Sequence, residues 1–165
     1  MQVFAYCAQS FARDVRRAAG VQPLTCPPVF ADGLDEDLLS GHEFVYFQLH
    51  GVPGEPYWYG DGWVTAINDG QLAAVGNATV FANCCYLPEG PMLAAMLKAG
   101  ATVVGGPGEN YAGGGALGLW LRIFLAAGVG LRAALTAAKG MLRLLYHGPV
   151  LEDVLQYRVW TAEDL

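Results

Sequence analysis

Three short runs in this chain, FVYFQL at residues 44–49, TVFAN at 79–83 and ATVVG at 101–105, are apolar at nearly every position. A strand with one wet face alternates polar and apolar residues, so a run without alternation belongs to a strand covered on both faces. Such strands are the mark of a parallel sheet, whose crossovers lay helices over it. Helical spacing appears between and after the runs. Phe11, Val15 and Ala18 mark a helix over residues 11–19 with Gly20 as its stop, and Leu93, Met96 and Leu97 mark another over 90–99, ending at Gly100. Two more are predicted at 116–127 and 131–146, after a glycine-rich loop that runs through Gly115. Residues 2–7 and 21–25 read as further strands, 154–160 as a closing edge strand, and 35–39 and 69–75 as brief helices. The stretch VPGEPYWYGDGWV, 52–64, reads as a loop with a small hairpin. This alternation predicts an α/β fold, a three-layer α/β/α sandwich around a mainly parallel sheet. No repeat or linker divides residues 1–165, so a single domain is expected.

Composition narrows the function classes. Hydrophobic residues make up 54% of the 165 and charged residues 15%, enough apolar material for a core and too little charge for disorder. The net charge of −6 argues against a nucleic-acid surface, which needs clustered Lys and Arg. The one basic run, Arg13 to Arg17, reads as the solvated face of a helix. Residues 115–131 approach membrane hydrophobicity but carry Arg122 and are broken by Gly128 and Gly130, so a buried helix and turn is expected there and no membrane partner. The N-terminal residues lack the charged start and long apolar stretch of a secretion signal. Four cysteines without such a signal imply free thiols in a reducing, cytoplasmic setting. Adjacent Cys84 and Cys85 are poor disulfide partners for each other.

Two of the apolar runs stop on residues able to do chemistry. FVYFQL is followed by His50 and Gly51, and TVFAN by Cys84 and Cys85. In open α/β sheets, functional groups gather beyond the carboxyl ends of the strands. If the two strands are parallel neighbours, their tips lie about 5 Å apart and bring an imidazole to a thiol. A thiol is mostly protonated at neutral pH, and a neighbouring imidazole can take its proton to make the nucleophile. His50 and Cys84 are therefore the expected catalytic pair, with Cys85 the other candidate nucleophile or a packing residue. Attack on a carbonyl also needs N–H donors for the oxyanion. The backbone N–H groups of Gly51 and Cys84 are the candidates. No third catalytic residue is evident, and the pair calls for no metal or cofactor.

FVYFQLHG followed by VFANCCYLPEGPMLAAMLKAGATVVGG resembles the core of the caspase-like cysteine peptidases, the group of caspases, metacaspases, legumain, gingipains and bacterial CHAT domains. In that group an apolar strand ends in His-Gly, and the next core strand ends in a small or acidic residue, any residue, then the nucleophilic Cys. Ala82-Asn83-Cys84 fills the second slot, in a register nearest the CHAT and gingipain versions, with Ala82 where the group usually has an acid or serine. The similarity covers residues 45–106, including WVTAINDGQLAAV between the two strands. It implies a caspase-haemoglobinase-like fold and cleavage of peptide bonds in a peptide or protein substrate. It also puts the loop GGPGENYAGGG at the primary pocket, with Glu109 to recognise a basic side chain and Tyr111 as a wall. Asp61 and Glu55 are further acidic options, and Arg13 after the first strand favours an acidic substrate instead. The surplus of acids tilts the expectation toward a basic or small side chain.

Other readings compete. An inactive caspase-like domain could serve as an interaction or assembly module with a protein partner or a second copy of itself, presenting Tyr57, Trp58, Tyr59 and Trp63 as an aromatic patch. GGPGENYAGGGALG follows a strand and opens a helix as a phosphate loop would, but matches neither the dinucleotide fingerprint nor the GKS/GKT form. A zinc site from Cys7, His50, Cys84 and Cys85 lacks CxxC or HxxxH spacing. Cys7 otherwise packs in the core or approaches the site as a second thiol, and Cys26, before two prolines, is structural.

Overall fold

The computed structural model describes residues 1–109 and 113–165. Its centre is the run at 44–48. Strand β3 (Phe44–Gln48) has its first four residues wholly buried, because both its neighbours and both its faces are occupied. On one side lies β1 (Val3–Ala8), with β2 (Leu24–Cys26) beyond it. On the other lie β7 (Thr79–Ala82), β8 (Thr102–Gly105) and an edge strand β9 (Arg158–Trp160). The order is β2-β1-β3-β7-β8-β9, and every pairing is parallel except β8 with β9. The chain is thus an α/β protein with a mainly parallel six-stranded sheet, as the uninterrupted apolar runs require.

Side chains leave β3 alternately to two separate cores. Val45 and Phe47 enter one with Val80, Ala82 and the inner residues of helix α2 (Pro91–Lys98), Met92, Leu93, Met96 and Leu97. Phe44 and Tyr46 enter the other with Phe81, Val15 of α1 (Ala12–Ala19), Leu117 and Leu121 of α3 (Gly113–Ala126) and Ala134, Ala138 and Leu142 of α4 (Leu131–Leu145). Full burial of each large aliphatic or aromatic side chain is worth about 1.5–3 kcal/mol, so the two clusters supply most of the driving force.

A second, three-stranded antiparallel sheet grows from the tip of β3. It consists of β4 (His50–Gly51), β5 (Tyr57–Tyr59) and β6 (Thr65–Asn68). Of the small hairpin expected within 52–64, only β5 lies in that range; the strands it pairs with, β4 and β6, flank it on either side. Trp58 is its anchor, 2% exposed with its ring 5.4 Å from that of Phe47.

Two further segments differ from the sequence expectation. The residues from Gly113 onward are helical, where a glycine-rich loop through Gly115 is predicted. A Cβ at Gly114 would stand 2.3 Å from Asn83 Oδ1, and one at Gly118 2.6 Å from the Tyr46 ring, so these glycines are the face on which α3 lies against the sheet. Residues 154–160 divide into the end of a helix, α5 (Pro149–Gln156), and the short strand β9. Arg122 has a structural partner: its Nε donates to Ala18 O at 2.8 Å, satisfying a carbonyl left open at the C-terminus of α1. Among the described residues no helix is long and apolar enough to cross a membrane.

Candidate functional site

Because β3 and β7 are parallel neighbours, their carboxyl ends deliver His50 and the cysteine pair to the same edge of the sheet. The ladder matches Tyr46 with Phe81 and Phe47 with Ala82, and the Asn83 N–H continues it by donating to Phe47 O at 2.9 Å. In-register neighbours on parallel strands point to the same face. Counted forward in this register, residue 50 falls opposite residue 85, not 84.

The surroundings of the two thiols follow that parity. Cys84 is 0% exposed and belongs to the same core as Val80 and Ala82. Burial pushes its pKa well above the ordinary thiol value, although the Leu49 N–H donates to its sulfur and acts in the opposite direction. Cys85 is half-buried and lines a cavity of about 510 Å³ with His50, Gln48 and Asn83. The side chain of Cys84, the expected partner of His50, is turned into the α2-side core, and it is Cys85 that lines the cavity with His50. All four cysteines are thiols rather than disulfides.

The main chain on either side of the pair is held tightly. Asn83, 6% exposed, accepts from Tyr157 Oη at 2.5 Å through Oδ1, and its amide donates to the Tyr46 hydroxyl. Tyr86, directly after Cys85, sits in the left-handed region at φ 55°, a conformation that costs a non-glycine residue of order 1 kcal/mol. Gly51 lies against the backbone of Cys85 so closely that a Cβ would stand 2.1 Å from the Cys85 carbonyl oxygen. Only glycine permits this approach, which brings the proposed N–H donor of residue 51 beside Cys85. The N–H of Cys84, the other expected oxyanion donor, precedes a side chain that faces away from the cavity.

The imidazole is fixed on three sides. Its ring packs 5.2 Å from Phe11 and 5.5 Å from Trp63, measured between centroids. Its Nε2 lies 3.7 Å from Asp61 Oδ1. Asp61 in turn accepts from Ser10, from the N–H at 2.6 Å and from the hydroxyl at 2.7 Å. Its partial burial opposes ionisation, but the two Ser10 bonds and the imidazole outweigh this and hold its pKa below the usual carboxylate range. From sequence alone Asp61 reads only as a substrate contact. Its place beside His50 depends on β4, β5 and β6 folding back on the strand tip, which no local pattern announces.

The expected substrate residues are dispersed. Tyr111 lies outside the described residues. Glu109 is exposed, accepts from Tyr86 Oη at 2.8 Å and is not part of the cavity wall. Arg13 is exposed on α1 and outside the wall of the cavity, whose charged lining residues are Asp14 and Arg17. Glu55 is exposed and outside the wall. Of the four aromatics read as a patch, Trp58 is core, whereas Trp63 is 65% exposed over His50. Cys7 and Cys26 are fully buried. Among the described residues no three His, Cys, Asp or Glu side chains converge in a metal-binding group. Comparison with protein-family models finds none that matches this chain, and comparison with curated proteins finds no match either.

Proposed function

We propose that this chain is a caspase-like cysteine peptidase domain in which Cys85 is the nucleophile and His50 its base. The observation that carries this reading is the shared cavity at the carboxyl edge of β3 and β7, lined by both the imidazole and the Cys85 thiol. With Cys85 as nucleophile, the residue two before it is Asn83, a polar residue, where the Cys84 register has Ala82.

The chemistry is acyl transfer. The Cys85 sulfur gives its proton to His50 and forms a bond to the peptide carbonyl carbon, whose π electrons move to oxygen. The N–H groups of Gly51 and Cys85 are the donors for that oxyanion. As the carbonyl re-forms, the C–N bond breaks and the amine leaves with the proton from His50. Water, giving a proton to His50, then attacks the thioester and releases the acid and the thiol. A cavity of about 510 Å³ is of the size that takes a small ligand or a substrate side chain. Asp14 and Arg17 replace Glu109 and Arg13 as the charges that would meet it. Thiol chemistry of this kind fits the reducing, cytoplasmic setting expected from four cysteines outside disulfides.

Labelling with a panel of peptidyl electrophiles tests the reading. One adduct at Cys85 is expected by mass spectrometry, lost in Cys85→Ala, kept in Cys84→Ala, and slowed at least a hundredfold in His50→Ala. Modification of Cys85 no faster than that of a simple thiol would remove the claim of activation. The exposed Trp63 beside His50 favours a second reading, an inactive domain that docks a protein partner there. Absence of labelling together with complex formation lost in Trp63→Ala would select it.

A further inference from the structure

The dyad proposed above has a third member in reach, and its geometry is specific to one nitrogen. His50 presents Nε2 to Asp61 Oδ1 at 3.7 Å, within ion-pair range and longer than a hydrogen bond. A neutral imidazole carries hydrogen on one nitrogen and a lone pair on the other, and the partner of one decides the state of both. A carboxylate at Nε2 favours hydrogen there and leaves Nδ1 with the lone pair. We infer that Asp61 is the positioning residue of this site, holding His50 in the Nε2–H tautomer so that Nδ1 is the atom that receives the Cys85 proton.

Several features support this beyond the single distance. Asp61 is itself immobilised by two hydrogen bonds from Ser10, in the turn between β1 and α1. One of those bonds ends on Oδ1, the oxygen that faces the imidazole, so the carboxylate approaches the ring in a fixed orientation. Phe11, the next residue after Ser10, packs on the His50 ring, and Trp63, two residues beyond Asp61, packs on it too. Trp63 holds this place at φ 59°, a backbone conformation rare for a bulky residue. Ser10–Phe11 and Asp61–Trp63 thus each supply one group to the carboxylate bridge and one ring to the imidazole. Distances of this kind are commonly long before substrate binds and tighten on the reaction path.

The inference deepens the peptidase reading, and its first readout does not depend on that reading. In the full chain, ¹⁵N-correlated NMR of the neutral His50 ring is expected to give the Nε2–H pattern. In Asp61→Ala the signals should move to a mixture of tautomers or to Nδ1–H, and in Asp61→Glu they should return toward the wild type. Ser10→Ala, which removes only the hydroxyl bond, should shift them partway and serves if Asp61→Ala does not fold. Iodoacetamide modification of Cys85 should slow about 10- to 100-fold in Asp61→Ala and recover in Asp61→Glu. An unchanged tautomer in both Asp61→Ala and Ser10→Ala overturns the inference. A tautomer shift in a protein whose Cys85 reacts like a simple thiol sustains the role of Asp61 and removes only the peptidase.

Discussion

Between Cys84 and Cys85 the chain advances by one residue, and in extended backbone that step carries the side chain from one sheet face to the other. Val80, Ala82 and Cys84 form one series, in the core beneath α2, while Phe81, Asn83 and Cys85 form the other. The consequence is a difference in reactivity between neighbours. Cys7, Cys26 and Cys84 are all 0% exposed, and burial raises the pKa of each, that of Cys7 to about 12. With a chromogenic disulfide at pH 8, one thiol per native chain should react promptly, and Cys85→Ser should remove it. All four should react in denaturant. Prompt reaction of a second thiol that disappears in Cys84→Ala would contradict the assignment of faces.

At the scale of the element, α3 shows how glycines can be packing residues. Its Gly113 faces Val150 and Val154 of α5, Gly114 faces Asn83, and Gly118 faces Tyr46 and Phe81, each too close for a methyl group. Intrinsic helix propensity favours alanine over glycine by about 1 kcal/mol, so propensity and packing make opposite demands at these positions. Gly118→Ala puts a Cβ 2.6 Å from the Tyr46 ring and 2.9 Å from that of Phe81, both wholly buried. Packing should prevail, with a loss of about 1–3 kcal/mol of unfolding free energy, measured by urea unfolding. Gly140 in α4 has nothing within 4 Å of a built Cβ, and Gly140→Ala should gain up to about 1 kcal/mol. The opposite signs test whether contact with the sheet explains the glycine run. Equal stabilisation by both substitutions would show that α3 does not lie as closely on Tyr46 as described.

For the whole molecule, the two cores make stability sensitive to alkali. Tyr6, Tyr46 and Tyr157 are buried with their hydroxyls, and desolvation raises their pKa values, as it does for Cys7, Cys26 and Cys84. In the unfolded chain these groups lose protons from about pH 8.5 for Cys and about 10 for Tyr. Between those values and the raised native ones, the folded state binds more protons, so stability falls as pH rises. The contribution is fully present below pH ~8.5 and is lost progressively above it. Lys139, whose pKa is lowered by burial, acts in the opposite sense, but it is one group against six. Urea midpoints should be flat from pH 7 to 8 and drop steeply by pH 10.5, less so in Cys84→Ala. A flat profile to pH 10.5 would mean that these thiols and phenols are not desolvated.

The uninterrupted apolar runs were legible as buried parallel strands because burial on both faces is a property of the strand's own sequence. His50-Gly51 and the cysteine pair were legible as strand-end residues for the same reason, since where an apolar run stops is written in the chain. The helical part of the glycine run was not, because a glycine kept free of a Cβ by a partner on another element looks locally like a loop. Nor was Asp61, whose neighbour Ser10 is 51 residues away. Which cysteine meets the histidine lay between these cases. Alternation makes residues 84 and 85 face opposite ways, but only the register of β3 against β7 says which of them shares a face with residue 50. Local sequence sets the periodicity of a strand, and the phase between two strands is a tertiary contact.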